Sequence, residues 1–145
     1  MIKINQTYVF QCPASFGTLS QEEVNTLYTD GRVASKFLEL QLVKWFPSLV
    51  FKDGKGYDHI SFEFTNRLDA KSFTKYGAKF SPSKMLGVGR SVDKEELWEH
   101  AMNMIYIFCD VVEFPEVRVV FKHGSDLTQY PTGSIPFKDR HVLFA

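Results

Sequence analysis

The sequence predicts an α/β domain: a mixed β-sheet with helices packed on it. Three observations carry that expectation. Residues 32–46 repeat apolar side chains at helical spacing, the pattern of an amphipathic helix. Residues 57–71 alternate apolar and polar side chains with period two, the mark of a half-buried strand pair. Residues 104–112 form the continuous apolar run Met-Ile-Tyr-Ile-Phe-Cys-Asp-Val-Val, expected of a strand covered on both faces. Strands and helices in such alternation bury their apolar faces as layers.

The length, 145 residues, suits one domain able to bury a proper core. Hydrophobic residues make up 44% and aromatics 15%, which places the chain among folded rather than disordered sequences. Lys plus Arg and Asp plus Glu are both 17, a formal charge of zero. The overall balance therefore points to neither nucleic acid nor membrane, and only its distribution can say more. Cys12 and Cys109 lack metal-ligand spacing and do not make a disulfide framework, so reduced thiols in an intracellular protein are expected. The first residues, Met-Ile-Lys-Ile-Asn-Gln, lack a signal peptide's apolar core, and no apolar run is long enough to cross a bilayer. A soluble cytoplasmic protein is the expectation.

Taken in order, Thr7 to Cys12 reads as a short strand, followed by a loop through Pro13 and Gly17. Ser20-Gln21-Glu22-Glu23 is a capping box, opening a short helix that carries Val24, Leu27 and Tyr28. Asp30-Gly31 breaks it, and Asp30 can cap the next helix. That helix runs roughly from Arg32 to Phe46, with Val33, Phe37, Leu40, Val43 and, less regularly, Leu38, Trp45 and Phe46 on a broad apolar face and Pro47 at its end. Glu39 is the one acid inside it. Ser48 to Phe51 is a candidate strand, and residues 52–56 a polar turn.

The hairpin follows. Asp58 stands at the mouth of a run that puts Ile60, Phe62 and Phe64 on one side and Ser61, Glu63 and Thr65 on the other. Thr65-Asn66 reads as a tight turn and residues 67–71 as the returning strand. There Leu68 and Ala70 point into the core, while Asp69 and Lys71, two apart, share the other face. The hairpin can bring Asp58 beside Asp69, and two carboxylates converging with a lysine can hold a divalent metal. From Lys71 to Val92 the chain is basic and glycine-rich, with Lys75, Lys79, Lys84 and Arg90 and no acid. Ser91 or Asp93 can cap a helix through Glu95, Leu97, Trp98 and Met102. After the 104–112 strand, Phe114-Pro115 turns the chain, Glu116 to Lys122 alternates as another strand, and the tail reads mostly as loop with a second basic spot at Lys138, Arg140 and His141.

An Asp-x-Lys triplet alone carries little, since Asp53-Gly54-Lys55 is another. What distinguishes Asp69-Ala70-Lys71 is its strand, the Asp58 before it, the basic loop after it and the Glu39 helix upstream. This arrangement resembles the PD-(D/E)xK nuclease superfamily, which includes type II restriction endonucleases and archaeal-type Holliday junction resolvases. The likeness covers about residues 32–122. Tyr57 stands where the superfamily's proline would be, and Asp69 replaces the commoner glutamate.

The resemblance implies a restriction-endonuclease-like core of helix, three strands, helix and strand. It further implies Mg²⁺, with Mn²⁺ as a substitute, bound by Asp58, Asp69 and the Ala70 carbonyl, and Glu39 completing the site. Hard oxygen donors suit such an ion. Lys71 would polarise the attacking water, and Lys75, Lys79, Lys84 and Arg90 would contact phosphates. The expected activity is hydrolysis of DNA phosphodiester bonds by a homodimer. The alternatives are a structure-selective nuclease such as a junction resolvase, or a catalytically silent nucleic-acid-binding module of the same fold. His59 is expected to be structural, and His100 and His123 carry no expected role.

Overall fold

A computed structural model of the protein describes residues 1–54 and 57–145. In chain order the elements are β1 (Thr7–Gln11), α1 (Gln21–Tyr28), α2 (Gly31–Trp45), β2 (Leu49–Gly54), β3 (Tyr57–Ser61), β4 (Arg67–Phe73), β5 (Ala78–Lys79), α3 (Lys94–Ala101), β6 (Met104–Asp110), β7 (Glu116–His123), β8 (Ser134–Ile135) and α4 (Arg140–Leu143). Short 3₁₀ turns lie at Ser83–Met85, Gly124–Asp126 and Phe137–Asp139.

Six strands form one mixed sheet in the order β1-β7-β6-β4-β3-β2, and β5 pairs with β8 in a small second sheet. β4 and β6 run parallel from Arg67 opposite Met104 to Phe73 opposite Asp110. The other pairs in the large sheet are antiparallel. A parallel pair needs a crossover, and the chain between β4 and β6 supplies it, ending in α3. None of the helices among the described residues is long and apolar enough to cross a membrane.

β6 is buried throughout and divides the interior in two. Ile105, Ile107 and Cys109 face α1 and α2, where they meet Ala34, Leu38 and Leu42. Tyr106 and Phe108 face the other way, toward Phe80, Leu97 and Leu143. Burying each such side chain contributes roughly 1.5–3 kcal/mol, so the sheet is fixed from both sides. The helix starts are set locally. Ser20 Oγ accepts the Glu23 N–H at 3.1 Å while Glu23 Oε1 accepts the Ser20 N–H at 2.9 Å. Asp30 accepts from Arg32 at 2.9 Å and Asp93 from Glu96 at 3.1 Å.

Several expectations are corrected. The buried line of α2 is Ala34, Leu38 and Leu42; Phe37, Val43 and Trp45 pack against the same core as expected, whereas Val33 and Leu40 are exposed. β2 continues to Gly54 instead of turning at Lys52, and residues 55 and 56, the rest of the expected turn, lie outside the described residues. β3 stops at Ser61, so Phe62 is 83% exposed and residues 62–66 form a connection in place of a two-residue turn. Glu63 is used there as an acceptor for the Ile2 N–H at 2.9 Å and for the Ser48 hydroxyl. In the tail, Arg140 opens α4 and is paired with Asp110 at 2.7 Å and Glu113 at 3.4 Å. It is thereby a structural ion, not part of a basic surface.

Candidate active site

The candidate site lies where β3 and β4 part. The two strands pair through His59 and Leu68. Beyond that rung a side chain replaces a strand carbonyl: Asp58 Oδ2 accepts the Ala70 N–H at 3.3 Å. In extended backbone the N–H and C=O of one residue project to the same edge, so Ala70 turns its carbonyl toward Asp58 as well.

Alternation along β4 sends Leu68 into the α1/α2 core and Asp69 and Lys71 to the opposite face. Lys71 Nζ lies 3.1 Å from Asp69 Oδ2, and the Asp69 and Asp58 carboxyls share a hydrogen bond. Asp69 is 8% exposed. Burial pushes its carboxyl up from 3.8 to about 7; Lys71 pulls it back, and the hydrogen bond and charge of Asp58 push it further up. Below about pH 7 Asp69 therefore holds a proton, and a divalent cation would compete with that proton for the same oxygens. Tyr106, level with Asp69 on β6, buries a hydroxyl with no hydrogen-bond partner among the described residues. Burial, and after it the charge of Asp69, raises the pKa of this hydroxyl.

These groups open onto a cleft of about 1380 Å³ whose walls include Glu39, Asp58, Asp69, Ala70 and Lys71. The start of α2 also contributes to the wall. Gly31 permits its close approach, since a Cβ there would stand 3.1 Å from the Ser72 Cβ and 3.2 Å from Thr74 Cγ2. Further along α2, the Glu39 carboxylate meets Lys36 Nζ at 3.4 Å. Its backbone carbonyl accepts from His59 Nε2 at 2.8 Å. A carbonyl only accepts, so Nε2 carries the proton and the buried Nδ1 is the bare nitrogen. Burial lowers the His59 pKa, against the opposing effects of that carbonyl and of Asp58. The bond fastens α2 to β3 one residue from Asp58, so His59 is a structural brace.

The cations expected to meet phosphates divide. Lys75, Lys79 and Lys84 line the cleft, with Lys84 paired to Glu96 of α3. Arg90 is not on its wall. The wall also includes Tyr57, Tyr76 and His100, to which the sequence expectation gives no role in binding or chemistry. Burial, then the charges of Lys71 and Lys84, lowers the His100 pKa. Nothing local in the sequence points to His100, because the last turn of α3 reaches the cleft only through tertiary packing.

Among the described residues no three His, Cys, Asp or Glu side chains are grouped to hold a metal ion. The donor set on offer is two carboxylates and the Ala70 carbonyl. That fits a hard divalent cation such as Mg²⁺, which keeps several waters and takes one or two carboxylates from the protein. The raised Asp69 carboxyl beside Asp58 is the second point of fit, since a cation there replaces a shared proton. Comparison of the chain with family models, curated proteins and solved structures finds no match.

Proposed function

We propose that the cleft is the active site of a Mg²⁺-dependent endonuclease of the PD-(D/E)xK type, acting on DNA. The observation that carries the reading is the grouping of Asp58, Asp69 and Lys71 at the mouth of a cleft that also holds Lys75 and Lys79. The order of elements supports it too. Apart from the two-residue β5, which pairs with β8 outside the large sheet, α2, then β2, β3 and β4, then α3 and β6 is helix, three strands, helix, strand, with Asp58 near the start of the second strand and Asp69-x-Lys71 on the third.

Asp58, Asp69 and the Ala70 carbonyl would hold the ion, which supplies a bound water of lowered pKa and charge to set against the phosphate. The chain's own groups do the rest. Lys71, held by Asp69 on the same face of β4, presents its ammonium where negative charge develops on the phosphoryl oxygens, and orients the attacking water. Glu39 completes the acidic wall from α2. Lys75 and Lys79 bring the polyanion in by contacting phosphates away from the acids. Buried carboxylates alone repel a phosphodiester, so cations at the rim are a requirement of the mechanism. Where both strands of a duplex are cut, two copies of the chain are needed, and a homodimer belongs to the proposal in that case.

Cleavage of supercoiled plasmid and of single-stranded circular DNA with Mg²⁺, with EDTA, and with Asp69→Ala and Lys71→Ala tests this. The expected result is cutting by the parent protein that EDTA abolishes and that each substitution lowers at least about a hundredfold. Equal cutting by parent and variants would remove Asp69 and Lys71 from the chemistry.

A further inference from the structure

Two tyrosines line the cleft, each with a cation over its ring. The Arg67 guanidinium lies 4.6 Å from the centroid of Tyr57 and Lys75 Nζ lies 5.2 Å from that of Tyr76. Their places along β4 bracket the acids. Arg67 is its first residue, Asp69 and Lys71 follow on the same face, and Lys75-Tyr76 forms the turn just past its last residue, Phe73. β4 has seven residues, about 20 Å of extended chain, between the Arg67 backbone and the turn that carries Tyr76.

The Tyr76 platform is built rather than incidental. Thr74 N–H donates to the Gly77 carbonyl at 3.0 Å and Gly77 N–H to the Thr74 carbonyl at 2.8 Å. Tyr76 N–H donates to Thr74 Oγ1 at 3.1 Å. Gly77 has φ 81°, and a Cβ there would stand 2.0 Å from the Ile135 carbonyl oxygen, so no other residue closes this turn. The turn holds out a ring that is 82% exposed and contributes next to nothing to the core. At the other end, Tyr57 also lines an adjoining cavity of about 450 Å³ with Arg67, Asn66 and His100, which gives a base beside the Tyr57–Arg67 pair room to enter.

Aromatic rings with adjacent cations are how proteins hold unpaired strands: each base offers a π face, and the cations meet the phosphates. A duplex keeps its bases stacked inside and leaves such platforms nothing to stack on. We propose that the cleft takes an unpaired DNA strand, with bases stacked on Tyr57 and Tyr76 to either side of the phosphate at Asp58, Asp69 and Lys71. The position of the reacting phosphate rests on the nuclease reading; the stacking does not.

The test is fluorescence anisotropy in EDTA, so that nothing is cut, with a short dye-labelled single-stranded oligonucleotide and with its duplex. Parent protein, Tyr76→Ala and Tyr76→Phe are compared. Preference for the single strand is expected in the parent, a loss of roughly five- to a hundredfold in Tyr76→Ala, and retention in Tyr76→Phe. Equal or tighter binding of the duplex, or single-strand binding indifferent to Tyr76→Ala, overturns the inference. Cleavage with Mg²⁺ separates the two proposals. Tyr76-dependent strand binding without any cutting sinks the nuclease and leaves the strand site standing. Asp69-dependent cutting confined to duplex does the reverse.

Discussion

Asp69 and Asp110 are both buried, on neighbouring parallel strands and on the same face of the sheet, four residues apart in register. They meet opposite fates. Asp110, 1% exposed, is closed in by Arg140 Nε at 2.7 Å and by the Val112 N–H at 3.0 Å. Arg140 in turn reaches Glu113. Each partner of that group is a fixed protein donor, and nothing is left over for a ligand. Asp69 has one ammonium, shares a hydrogen bond with another carboxyl, and opens on a cleft. A buried charge with its partners in place is architecture, while one left short of them keeps its capacity for an outside cation. Identity and burial are alike at the two positions; the supply of donors separates them.

The largest effect that bears on this contrast is on stability at Asp110. Arg140→Met strands the carboxylate in the core and is expected to cost about 3–5 kcal/mol in urea unfolding, with cleavage per folded molecule unchanged. A loss of cleavage beyond the loss of folded protein would put Asp110 in the site and collapse the distinction. The next effect concerns Asp69 and pH. Its folded carboxyl sits at about 7 against 3.8, so between those values the folded state holds a proton that the unfolded chain has released. The stability this represents is fully present below the unfolded value and is lost as pH rises through 7, with a slope of up to about 1.4 kcal/mol per pH unit. Urea midpoints of the metal-free protein should therefore fall from pH 5 to pH 8, and Asp69→Asn should flatten that fall; an unchanged slope would show Asp69 to be as well satisfied as Asp110. The smallest effect is at the rim. Lys79→Ala should weaken DNA binding severalfold and lower its salt slope by about one, and an unaltered slope would take Lys79 out of phosphate contact.

Parts of this arrangement are legible in the sequence because their cause is local. Strand alternation is a property of the backbone, so the shared face of Asp69 and Lys71 follows from their spacing. The caps at Ser20, Asp30 and Asp93 follow likewise, since a cap joins residues within one turn. What the sequence hides is decided at a distance. The apolar alternation of Ile60, Phe62 and Phe64 gives no sign that β3 ends at Ser61, because Glu63 is drawn aside by Ser48 and Ile2. His59 goes into the core on the strength of the Glu39 carbonyl, 20 residues back. Arg140 reads as a surface cation until Asp110, 30 residues away, claims it. The acids were findable by pattern, whereas the cleft between them and Tyr57, Tyr76 and His100 exists only once α2 and α3 are packed on the sheet.

The Asp58–Ala70 hydrogen bond has a further consequence. At that rung the ladder is completed by a carboxylate in place of a main-chain oxygen, and a carboxylate can be called away. Ligation and strand pairing compete for the same side chain, and the exchange costs about one hydrogen bond, ~1 kcal/mol, instead of a strand. The sheet can thus yield an edge to its ligand without coming apart, as a clasp opens without loosening the chain it fastens.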